Sequence, residues 1–204
     1  MVEVAPLRRK SVASYCRKLT PPNSPNCKQF MPTVYDDVNM RIFIDTEFTD
    51  DTHPDLISIG MVTEGGQIFY AERADYRYEN CSGFVRSEII PLLGREPDAA
   101  CTAAELSHRL YEWFRMLPEA ATVLYDFETD RRLLEASFLG PLPNNLSGYE
   151  LVNHKIFRHS AYKLGEVLTY SAAWPPHHAL ADAQALREGY LRWEAAINGR
   201  EWRS

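Results

Sequence analysis

The first strong pattern along the chain is Arg41-Ile42-Phe43-Ile44, a β-branched and apolar run that closes on Asp45-Thr46-Glu47-Phe48. It predicts a strand. The polar stretch 49–55 predicts a loop, and residues 56–63 and 68–72 are two further apolar runs. The Glu64-Gly65-Gly66-Gln67 turn signal between them predicts an antiparallel hairpin, and with the first strand a three-stranded meander. The spacing then becomes helical. Phe84, Ile89, Leu92 and Leu93 predict a short helix ending near Gly94. Thr102 with Glu105 three residues on is a capping-box pattern. The helix behind it carries Leu106, Leu110, Trp113, Phe114 and Leu117 at core spacing and is stopped by Pro118.

Residues 121–125 predict a fourth strand, and 126–139 turn from loop to helix. Strand followed by helix matches a crossover onto a parallel neighbour. The stretch 141–148 reads as a loop, 163–170 as a short helix, and 178–197 as a long final helix behind the Pro175-Pro176 break. The pattern as a whole predicts an α/β domain over 40–204. Residues 1–39 stand apart. Prolines at 6, 21, 22, 25 and 32 interrupt regular structure, and the segment carries a net +3 against −9 for the remainder. It reads as a basic, loosely docked extension, with a nucleic-acid-touching arm as the alternative.

Composition narrows the class. With 45% hydrophobic and 25% charged residues over 204 positions, the chain is an ordinary globular protein able to build its core without staples. None of its four cysteines forms a CxxC pair, which points away from a zinc ribbon and towards a reducing cytoplasm. No apolar run approaches membrane-spanning length. A net charge of −6 argues against a broad DNA-binding surface, but a carboxylate-rich metal site brings negative charge of its own.

Three clusters carry chemistry. Asp45 and Glu47 are i and i+2 on a strand, so they project from one face, and their mutual repulsion suits a divalent cation with oxygen ligands. Asp126, Glu128 and Asp130 sit where the fourth strand gives way to a helix; Glu128 fits helix N-terminal charge, whereas the leucines after Asp130 aim its carboxylate inward. The third cluster is His177-His178-Ala179-Leu180-Ala181-Asp182-Ala183. A histidine beside a carboxylate suits general-base chemistry near a metal. His178 and Asp182 share a helix face if both are helical, while His177 belongs to the loop before it.

Asp-x-Glu on a strand, Asp130 before Arg-Arg-Leu-Leu, and His-x-x-x-x-Asp together resemble the motifs of the DEDDh 3′→5′ exonucleases. The order matches and the motifs span 42–186. The resemblance implies a ribonuclease-H-like mixed β-sheet flanked by α-helices. It assigns the catalytic histidine to His177, with Asp45, Glu47, Asp130 and Asp182 holding two ions, Mg²⁺ or Mn²⁺. Many relatives place asparagine shortly before the second-motif aspartate, where this chain has Asp126. The short meander and the 84–93 segment are similar to the small bacterial and phage exoribonuclease subgroup. That implies single-stranded RNA 3′ ends as substrate, nucleoside 5′-monophosphates as product, and self-association as a homodimer, with DNA as the alternative substrate. Thr46 and Phe48 are the expected contacts to sugar and base, through backbone and ring. Leu56 or Ile57 is either a wedge between bases or strand core.

Overall fold

The computed structural model describes residues 39–199. The basic extension read over 1–39 lies outside them apart from Asn39, as do Cys16 and Cys27. Six strands form one mixed sheet: β1 (Met40–Phe48), β2 (Leu56–Thr63), β3 (Ile68–Arg73), β4 (Ala100–Cys101), β5 (Ala121–Tyr125) and β6 (Leu146–Leu151). Their order across the sheet is β4-β3-β2-β1-β5-β6. β1, β2 and β3 make the antiparallel meander, and β5 and β6 continue the sheet in parallel on the other side of β1.

Four helices cover the sheet: α1 (Ala103–Met116), α2 (Glu128–Ser137), α3 (Ser160–Thr169) and α4 (Ala179–Ile197). Alternation along β1 divides the core. Ile42 and Ile44 pack with Leu106, Leu110, Trp113 and Phe114 of α1 and Leu133 and Leu134 of α2. Phe43 points the other way, into a second cluster with Tyr162 of α3 and Ala183, Leu186 and Leu191 of α4. The central strand is therefore buried on both faces, which explains its continuous apolar run. This is the ribonuclease-H-like α/β architecture.

Local chemistry sets the helix ends. Thr102 and Glu105 form the capping box: the Thr102 hydroxyl accepts the Glu105 N–H, and the Glu105 carboxylate accepts the Thr102 N–H at 2.7 Å. Three elements differ from the sequence reading. The expected 141–148 loop ends early, because β6 begins at Leu146; this edge strand is half-exposed and lacks an apolar run. The two-residue β4 is too short to leave a pattern. The expected helix around 84–93 is a widened π turn, Val85–Ile89, tightening into a 3-10 turn, Ile90–Leu92. Pro91 has no N–H to continue an α-helical ladder there.

One close approach positions the third cluster. In the β1–β2 pairing Gly60 stands opposite Asp45. A Cβ on Gly60 would lie 2.4 Å from the backbone of Ala179 and Leu180, so the start of α4 rests directly on strand β2. No larger residue permits that contact. No helix among the described residues is long and apolar enough to cross a membrane.

Candidate active site

The carboxyl end of β1 delivers Asp45 and Glu47 on one face. A β-bulge follows at once: Glu47 pairs with Ser58 but Phe48 with Leu56, which kinks the strand beside the acids. The start of α2 brings Asp130, and Asp126 follows directly on Tyr125, the last residue of β5. The first turn of α4 brings Asp182, with His177 on the loop before it. Two groups of ligand atoms result, each within 4.8 Å: Asp45 with Asp126 and Asp130, and Glu47 with His177 and Asp182. The five acids and His177 thus converge from three chain segments.

Second-layer bonds orient these groups. Asp130 is buried, and one of its oxygens accepts both the Thr46 hydroxyl at 2.6 Å and the Thr46 N–H at 3.1 Å. Both donors of Thr46 are thereby committed to Asp130, so the expected contact from its backbone to a sugar has no free N–H to use. Asp182 accepts the Tyr170 hydroxyl at 2.6 Å and the His177 N–H at 2.9 Å. His177 has φ 65, a left-handed conformation uncommon outside glycine. The His177–Asp182 bond and the preceding prolines hold it there, and its ring meets Phe84 edge-on at 5.0 Å.

The two histidines part company. His177 is exposed at the acids, whereas His178 is buried, stacked on Tyr70 at 4.7 Å and edge-on to Trp174 at 4.8 Å. Burial depresses the His178 pKa, which keeps its imidazole neutral. Phe48 is half-buried and lies nearly parallel to Phe127, with centroids 6.4 Å apart. Leu56 and Ile57 are strand core, which removes both as wedges.

The electrostatics are one-sided. Loss of solvation raises Asp45 well above the usual carboxylate range, and Asp130, Asp182, Glu47 and Asp126 push it further. Burial, then Asp182 and Asp130, lifts Glu47 to about 8. Burial lifts Asp130 to about 7 against the opposing Thr46 bond. Asp126 and Asp182 are also raised, chiefly by desolvation. No lysine or arginine among the described residues forms an ion pair with any of the five. Clustered oxygen donors without a balancing side-chain cation suit a hard divalent ion.

The sequence left the part of Asp126 open, and the structure sets its carboxylate beside Asp45 and Asp130; Tyr170 as the partner of Asp182, Phe84 against His177, Phe127 beside Phe48 and Gly60 under α4 were not read from it. Only Asp126 carried a visible signal, an acid at a strand end within an acidic triplet. The others depend on contacts far apart in sequence.

No family model matches the chain. A 55-residue stretch is 44% identical to a 3′-5′ exoribonuclease of Mycobacterium tuberculosis, matched in two strains; it covers 26% of this chain and 33% of the relative. The match thus spans about a third of that relative's length. Among solved structures, the zinc-bound form of an Escherichia coli ExoI–single-stranded DNA complex shares the fold. Its TM-score is 0.51 at 16% identity, covering 79% of this chain and 41% of the other.

Proposed function

We propose that this chain is a metal-dependent 3′→5′ exonuclease of the DEDDh type that shortens single-stranded RNA from its 3′ end and releases nucleoside 5′-monophosphates. The observation that carries the reading is the meeting of five carboxylates and His177 at the end of β1, with no lysine or arginine among the described residues paired to them. The partial likeness to an exoribonuclease supports the reaction class and favours RNA.

Asp45, Glu47, Asp130 and Asp182 hold two divalent ions, Mg²⁺ or Mn²⁺, and Asp126 is a further ligand candidate beside Asp45 and Asp130. Bound ions supply charge stabilisation for the attacking and leaving oxygens of an in-line displacement. His177 takes the proton of the attacking water. Its exposed ring beside Glu47 and Asp182 suits it to that task, and burial disqualifies His178. Asp182 keeps its place through Tyr170, and Asp130 through Thr46. The terminal nucleoside occupies the hollow of about 510 Å³ lined by Glu47, Phe48, Asp50, Asp51 and Phe84, where the Phe48 and Phe84 rings offer apolar faces to a base. The described cysteines, Cys81 and Cys101, are free and buried, in keeping with a cytoplasmic enzyme. The same resemblance to the exoribonuclease subgroup points to a homodimer.

A DNA-directed exonuclease is the second reading, favoured by the fold neighbour being a complex with single-stranded DNA. Discrimination between the two rests on contacts to the 2′-hydroxyl. Incubation with 5′-labelled RNA and DNA oligomers of one sequence, in Mg²⁺ or EDTA, tests both readings, with Asp45→Ala as control. Stepwise Mg²⁺-dependent shortening from the 3′ end, lost in the variant, is the expected result, with RNA consumed faster. Faster loss of DNA selects the second reading, and no shortening of either rejects both.

A further inference from the structure

Beside the hollow that takes the terminal nucleoside lies a second groove, of about 680 Å³, between the 49–55 loop and α2. Thr52 lines both, so the two meet at that residue. Their charges differ. Asp50 and Asp51 line the first, while Arg132 and His53 line the second. The one acid that lines the second groove, Glu135, is already paired with Arg131 at 2.8 Å. Arg132 is exposed and makes no ion pair or hydrogen bond among the described residues. Its charge reaches Glu128, which Arg131 already binds. At the head of α2, Phe127 presents an exposed ring parallel to Phe48.

We infer that this groove is the track for the substrate strand on the 5′ side of the scissile bond, with Arg132 and His53 receiving a backbone phosphodiester and Phe127 a base. The inference rests on the exonuclease reading and deepens it. A nucleoside with free hydroxyls suits the Asp50 and Asp51 part of the first hollow better than a phosphodiester does. An unpaired guanidinium in the adjoining groove supplies what the phosphodiester needs. The strand is therefore oriented, its hydroxyl end towards Asp50 and Asp51 and its phosphates over α2. Phosphate contacts position a strand without reading sequence, and stacking on an aromatic ring is equally indifferent to base identity. The class of substrate that follows is a single strand of several nucleotides, preferred over a dinucleotide and accepted without regard to sequence.

The test uses the full chain carrying Asp45→Asn, so that binding is read without turnover. A 5′-fluorescein octamer is titrated in Mg²⁺ over a range of salt and followed by anisotropy, with Arg132→Ala, Arg132→Glu and, as an exposed control away from the groove, Arg115→Ala added in turn. Arg132→Ala should weaken binding about tenfold, as expected for loss of one charge-assisted contact. It should also flatten the salt dependence by about 0.7, the share of one phosphate on a single strand. The loss should match for oligouridine and oligoadenine, Arg132→Glu should lose more, and the Arg115→Ala control should bind as its parent does. In the active chain, the kcat/KM ratio of octamer to dinucleotide should fall by a similar factor on Arg132→Ala. An unchanged affinity, salt slope and ratio in the Arg132 variants would overturn the track while 3′ shortening by the wild type left the exonuclease reading intact. Failure of the wild type to shorten any strand counts against that reading, and the binding titration still decides the track.

Discussion

The two ends of β1 treat charge in opposite ways. At its beginning, Arg41 is gripped by Glu64 at 2.7 Å and Glu194 at 2.6 Å and sits over the Tyr190 ring. One cation meets two carboxylates from β2's turn and α4, and both partners favour its charged form. At the other end, Asp45 and Glu47 join three more carboxylates, with no side-chain cation among the described residues paired to any of them. A charge that serves the fold is neutralised inside the chain. A charge left unneutralised in a partly buried place costs folding energy and is retained for something that binds.

The largest effect that would break this contrast is at Asp45. Asp45→Asn should lower exonuclease activity by more than about a hundredfold, beyond what loss of a group that only hydrogen-bonds to a ligand costs. The same substitution should raise the thermal midpoint of the metal-free protein, because it relieves repulsion. Paired activity and melting measurements check both, and a fall in both would show Asp45 to be structural. Gly60→Ala comes next. Its Cβ would meet Ala179 and Leu180 at 2.4 Å, so α4 must shift. A loss of about 1–3 kcal/mol in denaturant unfolding is expected, together with a large loss of activity although every acid remains.

Acidity sharpens the comparison further. Glu47 rises from 4.5 to about 8 and Asp130 from 3.8 to about 7 on folding, so the native state holds more protons than the unfolded chain between those limits. Stability of the metal-free protein should therefore fall as pH rises from about 4 to about 8, the slope being negative wherever the native state binds the excess. Saturating Mg²⁺ should flatten that slope, because ligand carboxylates deprotonate on binding. Melting curves across this range, with and without Mg²⁺, read the effect. At the opposite end of the strand, Arg41→Met should cost about 2 kcal/mol through its lost charge-assisted hydrogen bonds, with kcat close to wild type. The smallest change is Thr102→Ala, which removes the capping box far from the acids and should cost about 1 kcal/mol in unfolding.

How much of this was readable in advance follows from what kind of contact each feature needs. The meander, α1 with its capping box and the order of acids are local patterns, and each could be read from neighbouring residues. β6 was half missed because an edge strand is not required to be apolar, and its residues Ser147, Gly148 and Glu150 look like loop. The choice of His177 over His178 as the catalytic histidine comes from a resemblance, whereas the residues alone leave His178 open. Its burial between Tyr70 and Trp174 depends on β3 and the loop before α4 meeting in space. Tyr170 and Phe127 are ordinary aromatics until the fold sets them beside Asp182 and Phe48. Long-range partnerships of this kind leave no mark at any single position.

Gly60 carries one more consequence. A search for this activity among unfamiliar chains would look for acids and a histidine in the right order, and would accept any chain that has them. The position that lets α4 lie on β2 offers no functional group at all. A chain could keep all five acids and His177, acquire a methyl group at that one place, and pass every such search as an enzyme while being inert. Whether a relative still works is better judged by the smallness of its residue opposite the first aspartate than by a count of its acids.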